Sequence, residues 1–220
     1  MSGVLRIAVL SDPESWLRGY LPAFVAALEA EGHKVVRESA PEFLTEGDIC
    51  FYLSVGRIVP QNVRAKFTHN LVVHESDLPR GKGWSPMTWQ ILDGASHITL
   101  TLFEAENKVD SGRIYAQRTV ELRGTELVDE WRELQADATF LLCMDFVRDY
   151  PQSLAAGRLQ QGEESLYPRR TPEDSQLDPH KTIAEQFDLL RVVDNDRYPA
   201  FFDYRGQRYM LKVSKAASNG

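Results

Sequence analysis

Short apolar segments separated by helical or irregular stretches constrain the fold of this chain more than any other feature. Residues 5–11, 49–53 and 70–74 are almost continuously apolar, and residues 34–37 form a weaker segment of the same kind. Such segments are typical of strands buried on both faces of a parallel sheet. Apolar residues around Phe24 repeat at helical spacing, so we predict strands joined by helices in a βαβ arrangement.

The middle of the chain carries a second set of predicted elements. A short helix is expected over residues 86–92, and strands over 98–103 and 114–122 are expected to form an antiparallel pair at one edge of the sheet. A long helix is expected to begin at a Thr125 cap and to run to Tyr150, because proline follows. Its predicted apolar stripe consists of Leu127, Trp131, Leu134, Ala138 and Leu141.

The last third of the chain is expected to begin irregularly. Residues 151–179 are rich in proline, arginine, glutamate and glycine and show no periodicity. Thr182 and Glu185 form a capping box, which predicts the start of a short helix. Residues 198–213 are then expected to form two strands around a turn at Arg205-Gly206.

These elements predict an α/β fold, with a Rossmann-like open sheet that is mostly parallel with an antiparallel edge and is flanked by helices. A short C-terminal helix and a β-hairpin are expected to follow. The predicted main domain covers residues 1–150, and an extension covers residues 151–220. Neither a Gly-x-Gly-x-x-Gly sequence nor a P-loop sequence occurs, which argues against the standard nucleotide sites that use them. In such a sheet a ligand is expected at the carboxyl ends of the strands.

Charge and cysteine content exclude several classes of function. The net charge is -7 and the basic residues are dispersed, which argues against nucleic-acid binding. Cys50 and Cys143 are expected to be buried thiols in a reducing cytosol, and no Cys/His spacing of a metal site is present. No apolar segment has the length of a signal peptide or a membrane span, so we predict a cytoplasmic protein that binds no membrane.

The segment from His74 to Pro86 is the most informative for chemistry. His74 ends a buried strand and precedes a loop rich in proline and glycine, an arrangement typical of an active site. Asp110 stands in a predicted turn before a later strand, where on its own it would be interpreted as a turn former. The two residues are candidates for an acid/base pair in which the carboxylate orients the imidazole. The sequence leaves open whether their side chains meet.

An ordered set of motifs resembles the folate-dependent formyltransferases, a family that includes glycinamide ribonucleotide transformylase, methionyl-tRNA formyltransferase and the sugar N-formyltransferases. The set consists of His74-x-Ser76-x-Leu78-Pro79, Gly83, Pro86, residues 89–94, the strand 98–103, and Asp110-Ser111-Gly112 at the family's separation from the histidine. Residues 56–60 resemble the loop that lines the pterin pocket, and residues 169–174 resemble a segment of several longer members. The resemblance covers roughly the whole chain and rests on the order of the motifs.

The resemblance implies transfer of a formyl group from 10-formyltetrahydrofolate to an amine, in a folate-binding catalytic domain over residues 1–150. Protonated His74 would stabilise the tetrahedral oxyanion, and Asp110 would hold His74 and relay the proton that leaves the amine. No metal is expected. The implied cofactor-binding residues are Arg57, Ile58, Leu78, Pro79, Gly83, Glu106, Asn107 and Val109.

One position departs from the family pattern. The family has asparagine two residues before the histidine, and Val72 stands there. Asn70 would lie on the same face of the strand, roughly 6–7 Å further back. Three alternatives follow: a shift of the strand brings Asn70 into use as a third catalytic residue, another donor replaces the missing amide, or transfer is impaired.

The expected acceptor is a nucleotide-linked amino sugar. The segments 190–195 and 198–202 resemble the tail of bacterial sugar N-formyltransferases. Residues 74–86 resemble those of enzymes from surface-polysaccharide and flagellar-glycan pathways, including the pseudaminic-acid type. The resemblance therefore implies a role in lipopolysaccharide or flagellar glycan biosynthesis. The candidate substrate-binding residues are Ser76, Arg80, Lys82, Trp84 and Arg191, of which Arg80, Lys82 and Arg191 are candidates for phosphate contacts.

Three other functions remain open at this point. One is hydrolysis of 10-formyltetrahydrofolate, and another is a methionyl-tRNA formyltransferase-like activity, although those enzymes carry a further C-terminal barrel that we do not expect here. The third is a folate- or nucleotide-binding module without turnover, which Val72 favours. A homodimer through the C-terminal strands is also expected to be possible, because an apolar hairpin has edges to cover.

Overall fold

The computed structural model describes residues 3–216. The strands are β1 (Arg6–Leu10), β2 (Lys34–Glu38), β3 (Gly47–Tyr52), β4 (Phe67–His74), β5 (Lys82–Gly83), β6 (His97–Glu104), β7 (Ile114–Glu121), β8 (Leu166–Tyr167), β9 (Ala200–Tyr204) and β10 (Gln207–Leu211). The α-helices are α1 (Leu21–Ala30), α2 (Gln61–Arg64), α3 (Pro86–Leu92), α4 (Val128–Arg148) and α5 (Phe187–Val192), joined in places by short 3-10 turns.

Six strands form one mixed sheet in the order β2-β1-β3-β4-β6-β7. The first four strands of that order are parallel to one another, whereas β6 runs antiparallel to both β4 and β7. The predicted sheet, mostly parallel with an antiparallel edge, is therefore confirmed. The carboxyl ends of β1, β3 and β4 point to the same edge because these strands are parallel.

The central strands are apolar on both faces because both faces are covered. Ile7 and Val9 of β1 belong to the main core, and Ala8 and Leu10 belong to a second cluster on the opposite face. On the main face α1 and α4 pack side by side, with the rings of Phe24 and Phe140 stacked at 4.6 Å between centroids. The other face is covered by the segment around α2. Burial on both sides explains why these strands lack alternation of apolar and polar residues.

The long helix α4 differs from its prediction at its start and in its buried face. It begins at Val128, and its cap is formed by Glu130, whose carboxylate accepts a hydrogen bond from the Leu127 N–H at 2.8 Å. Thr125 therefore lies outside the helix. Trp131 and Ala138 are buried as predicted, but Leu134 and Leu141 are 39% and 44% exposed. The buried face of α4 is rotated relative to the predicted stripe and includes polar side chains. The spacing of apolar residues alone does not reveal such a face.

The segment after α4 returns to the main sheet and ends in the expected hairpin. Its β8 pairs in parallel with β5, and Ile114 and Arg158 exchange backbone hydrogen bonds. The Thr182–Glu185 capping box is present, with Thr182 N–H donating to the Glu185 carboxylate at 2.8 Å. Strands β9 and β10 are antiparallel, and Arg205 and Gly206 both have positive φ in the turn between them.

Two other expectations concern the whole chain. Cys50 and Cys143 are free and buried, as predicted. Within residues 3–216 no helix is both long enough and apolar enough to cross a membrane. The division at residue 150 and the homodimer stay predictions.

Candidate functional site

His74 and Asp110 meet at the carboxyl end of β4. His74 is the last residue of β4, and Asp110 lies in the loop between β6 and β7. Nε2 of His74 lies 3.8 Å from Oδ2 of Asp110, and both side chains are largely buried. The structure thus brings together the two residues that the sequence singled out, at the edge of the sheet where a ligand was expected.

The Asp110 loop is fixed by its backbone. Asp110 has a φ of 50°, a conformation that aspartate and asparagine tolerate better than most residues. Its Oδ2 accepts a hydrogen bond from the Gly83 N–H at 2.9 Å. Gly112 lies against β6, where a Cβ would come within 1.7 Å of the Glu104 carbonyl oxygen. The position therefore needs glycine, which sets the distance between this loop and β6.

The hydrogen bonds of His74 fix its tautomer. Nε2 lies 2.8 Å from the Gly81 carbonyl oxygen, which can only accept, so Nε2 must carry a hydrogen. In neutral His74 the other nitrogen, Nδ1, is then a proton acceptor, and after protonation it becomes a donor.

A strand from the C-terminal segment holds the loop that follows His74. Ser165 accepts a hydrogen bond from the Gly81 N–H at 2.8 Å, next to the pairing of β5 with β8. The Glu164 carboxylate lies 2.8 Å from Nζ of both Lys82 and Lys108. Hydrogen bonds from Lys108 and then Lys82 lower the pKa of Glu164 to about 2. These contacts fasten the Gly81 carbonyl that orients His74.

The pair opens into a cavity of about 750 Å³. A cavity of this volume is within the range of small-molecule sites. Besides His74 and Asp110, six of the predicted site residues line it: Arg57, Ile58, Gly83, Trp84, Glu106 and Val109. Val72, at the position of the family's asparagine, also lines the cavity.

Asn70 does not line this cavity. Its Oδ1 accepts a hydrogen bond from the Tyr52 hydroxyl at 2.7 Å, and its Nδ2 donates to the Arg64 carbonyl at 3.1 Å. The strand continues regularly from residue 67 to residue 74, without a shift that would carry Asn70 toward His74. The amide is therefore engaged in the second apolar cluster, and we leave Asn70 out of the catalytic machinery.

The three basic residues predicted to contact phosphates lie elsewhere. Lys82 is buried against Glu164, and Arg191 is buried with its guanidinium against the carboxylates of Glu126 and Asp188. Arg80 lines a second, smaller cavity of about 350 Å³. The sequence shows the charges of Lys82 and Arg191 but does not show that Glu164 and Glu126, far away in the chain, pair with them.

The remaining predicted residues also lie outside the large cavity. Leu78 and Pro79 line the smaller cavity with Arg80. Ser76 is buried, and its carbonyl accepts a hydrogen bond from the Thr101 hydroxyl at 2.6 Å. Asn107 accepts a hydrogen bond from Arg64. Leu78, Ser76 and Asn107 thus support the loops around the site.

The sequence did not indicate one wall of the cavity, which is formed by α4 and the C-terminal segment. The residues of this wall include Trp131, Arg132, Gln135, Arg169, Arg170, Asp194, Arg197 and Tyr198. The Arg169-Arg170 doublet, in a segment that resembles one in several longer formyltransferases, was the one available signal. The other residues come together only through contacts between positions about 60 residues apart in the sequence, such as the 2.8 Å ion pair of Arg132 with Asp194.

Glu75 is a further cavity residue that no motif indicated. Its Oε1 accepts a hydrogen bond from Nε2 of Gln135 on α4 at 2.6 Å. Burial raises the pKa of Glu75, although the positive charge of His74 and the Gln135 bond act in the opposite direction. The carboxyl groups of Asp110 and Glu75 therefore both line the cavity together with His74.

This arrangement is suited to acid/base chemistry on an anionic ligand. The imidazole and the carboxyl groups can exchange protons with a bound amine or oxyanion, and the arginines can bind negative charge. Among residues 3–216, no group of three or more histidine, cysteine, aspartate or glutamate side chains is arranged to hold a metal ion.

Comparison with solved structures places the fold among formyltransferases. Methionyl-tRNA formyltransferase from Clostridium thermocellum superposes with a TM-score of 0.78 at 21% identity, covering 99% of this chain and 96% of that one. A 4-N formyltransferase from Francisella tularensis gives 0.69 at 18%, covering 96% and 99%. HypX from Aquifex aeolicus in complex with tetrahydrofolic acid gives 0.74 at 21%, covering 95% of this chain but 37% of HypX.

These identities are low, so the superpositions establish the fold alone. A comparison of sequences with a family model is more specific. The model described as formyl transferase matches residues 26–139, which is more than half of the 220 residues and includes both His74 and Asp110. The chain therefore belongs to the formyl transferase family.

Proposed function

We propose that the protein transfers a formyl group from 10-formyltetrahydrofolate to the amino group of a nucleotide-linked amino sugar. The observation that carries the proposal is the His74–Asp110 pair in a cavity lined by both exposed apolar side chains and arginines. Membership of the formyl transferase family supplies the class of reaction. The two kinds of lining residue fit a folate and a phosphorylated acceptor.

The folate is expected to bind the apolar part of the lining. Ile58 and Val109 line the cavity although they are 67% and 50% exposed. Exposed apolar side chains in a cavity can pack against the flat face of an aromatic ligand such as a pterin. Backbone groups of residues 106–109 would hold its polar edge. The complex of HypX with tetrahydrofolic acid supports a folate as the formyl donor.

The acceptor is expected to be anionic because of the arginines. Arg57, Arg132, Arg169, Arg170 and Arg197 all line the cavity, and guanidinium groups bind phosphates with paired hydrogen bonds. Arg57 and Arg132 are paired with carboxylates.

Two of these arginines are the best candidates for a diphosphate. The guanidinium of Arg169 stacks on Trp84 at 4.8 Å from the ring centroid. Arg170 donates to the Asp174 carbonyl at 3.1 Å, and its Nε has no partner among the described residues. Neither contact neutralises the positive charge. In the proposal, Arg169 and Arg170 therefore take the role that Arg80, Lys82 and Arg191 had in the sequence prediction.

His74 and Asp110 would move the proton that formyl transfer releases. Neutral His74 presents Nδ1 as a base, and once protonated it donates a charge-assisted hydrogen bond to the developing oxyanion. Asp110, beside Nε2, would stabilise the imidazolium that forms. Following the sequence resemblance, we assign the reaction to the cytoplasm and its product to bacterial lipopolysaccharide or flagellar glycan.

Val72 favours a second candidate function, a folate- or nucleotide-binding module without turnover. Val72 lines the cavity at the position of the family's asparagine and offers no hydrogen bond. Removing one oxyanion donor typically costs about 10²–10³ in turnover. The two candidates share their ligands and differ in whether a product forms.

The test combines binding with product detection. Purified protein is titrated with 5-formyltetrahydrofolate and, separately, with 4-amino sugars linked to dTDP, UDP or GDP, and thermal unfolding is recorded. It is then incubated with 10-formyltetrahydrofolate and each sugar, and a formyl mass increment is sought. We expect both ligands to raise the unfolding midpoint and one sugar to gain a formyl group. Binding without product would support the module, and release of tetrahydrofolate without a formylated sugar would indicate hydrolysis.

A further inference from the structure

Transfer to an ammonium group releases two protons, and the role proposed above for the His74–Asp110 pair accounts for one of them. Alkylamines are largely protonated at neutral pH, since their pKa values are about 8–10. An ammonium nitrogen carries three hydrogens and the formamide product carries one, so two protons leave this nitrogen. One proton ends on N10 of the folate when the carbon–N10 bond breaks, and His74 can pass it there. The other must leave before attack, because the ammonium nitrogen has no lone pair.

Glu75 is placed to receive that first proton. It follows His74 directly in the chain and lines the same cavity. One carboxylate oxygen, Oε1, accepts a hydrogen bond from Gln135 at 2.6 Å, and no other side chain within residues 3–216 donates to this carboxylate. The backbone of Glu75 is fixed as well, since its carbonyl accepts a hydrogen bond from Gln90 of α3 at 2.6 Å. Two helices therefore hold Glu75 beside the imidazole.

We propose that Glu75 binds the ammonium group of the acceptor and takes its first proton before the amine attacks the formyl carbon. In this step one N–H bond breaks, its electron pair stays on nitrogen as the nucleophile, and the proton bonds to Oε2 of Glu75. The carboxylate is consumed and a carboxylic acid forms, which loses the proton to solvent after the product leaves. Glu75 would thus also select amines over hydroxyl acceptors, which bring no positive charge.

The charged groups around Glu75 are consistent with this role. His74 and Asp110 are the titratable groups whose charges act on it, with opposite signs. Arg132 and Asp194 line the cavity near Gln135 but pair with each other at 2.8 Å. Burial raises the pKa of Glu75, which makes its carboxylate a stronger base than an exposed one.

The inference rests on the proposed function and has its own test. The variant Glu75→Gln keeps the size of the side chain and an oxygen for Gln135 but cannot take a proton. We measure kcat/KM for an amino sugar that the wild type formylates, between about pH 6 and pH 9.5. The variant is expected to lose roughly 10²-fold near pH 6. It should approach the wild type above the pKa of the amine, where the nucleophile is already neutral.

Controls separate this role from a structural one. Glu75→Asp keeps a carboxylate and should retain the pH dependence of the wild type at a lower rate, which covers the case in which Glu75→Gln does not fold. Glu29→Gln alters an exposed carboxylate on α1 and should change nothing. Folate binding and the unfolding midpoint of Glu75→Gln should remain near those of the wild type.

The outcomes are distinguishable. A loss in Glu75→Gln that is equal at every pH, or no loss, would overturn the role of Glu75 while leaving the proposed function intact. A wild type that formylates no amine would overturn the proposed function and the role of Glu75 with it.

Discussion

Gly112 gives the clearest prediction of how the fold sets the geometry of the site. A Cβ at this position would lie 1.7 Å from the Glu104 carbonyl oxygen and 2.7 Å from its carbonyl carbon. Real Cβ contacts are not shorter than 3.0 Å, so Gly112→Ala must separate the loop from β6 by about 1.3 Å, the difference between 1.7 and 3.0 Å. The obstacle is backbone on both sides, so a rotamer change cannot relieve it.

The displacement should be transmitted to Asp110, two residues earlier. A misplacement of about 1 Å at a reacting group can cost about 10²-fold in rate, so we expect a loss of this size in kcat/KM. Overpacking typically costs about 1–3 kcal/mol, which corresponds to a fall of roughly 2–12 °C in the unfolding midpoint for a chain of this length. The assay is formyl transfer together with thermal unfolding.

Gly19→Ala is the matched control. Nothing lies within 4 Å of a Cβ built at Gly19, so the same chemical change should leave both activity and midpoint within experimental error of the wild type. If Gly112→Ala retained wild-type activity and stability, the close approach of the Asp110 loop to β6 would not be required, and the reasoning would fail.

Three other predictions follow from the ionic contacts. Glu164→Gln should lower the unfolding midpoint at pH 7, and the difference from the wild type should disappear in acid. Folding lowers the pKa of Glu164 from 4.5 to about 2. The contribution of Glu164 to stability is therefore complete above about pH 4.5 and is lost as the pH falls toward 2. A difference that stayed constant down to pH 2 would contradict this. Arg191→Met should destabilise the protein by about 1.5–3 kcal/mol in urea, because it removes the charge-assisted hydrogen bonds of a buried guanidinium to Glu126 and Asp188. It should leave the acceptor KM unchanged. If this variant instead had a raised acceptor KM and normal stability, Arg191 would again be a candidate for contacting the phosphates of the acceptor. Arg169→Ala should raise the acceptor KM roughly tenfold and leave folate binding unchanged, and an unaltered acceptor KM would remove Arg169 from the phosphate site.

Elements that depend on local sequence were predictable. The apolar strands, the helix that begins at Pro86 and the hairpin turn at Arg205-Gly206 follow from periodicity and backbone preferences, and the structure has them. The start of α4 was misplaced because Glu130 caps the helix at Leu127, and a threonine three residues upstream of Val128 gave a competing signal. His74 and Asp110 were identified through the resemblance of their motifs, and of the separation between them, to those of the formyltransferases.

The acceptor side of the site depends on contacts between distant residues. Gln135 reaches Glu75 across 60 positions, and the C-terminal segment brings Arg169 and Arg170 to the cavity. No local pattern encodes these contacts. The same limit explains Lys82 and Arg191, which pair with the carboxylates of Glu164 and Glu126, 82 and 65 positions away in the sequence.

The most direct test of the account is a single-turnover transfer with a ¹³C-labelled formyl group on 10-formyltetrahydrofolate, read by mass spectrometry on an amino sugar linked to dTDP, UDP or GDP. Wild type and Asp110→Asn are compared, because asparagine tolerates the positive φ of this position and keeps an oxygen for the Gly83 N–H. We predict that the wild type labels the sugar and that the variant binds the folate but transfers roughly 10²–10⁴-fold more slowly. Equal transfer by both proteins, or no labelled sugar from the wild type, would contradict the account.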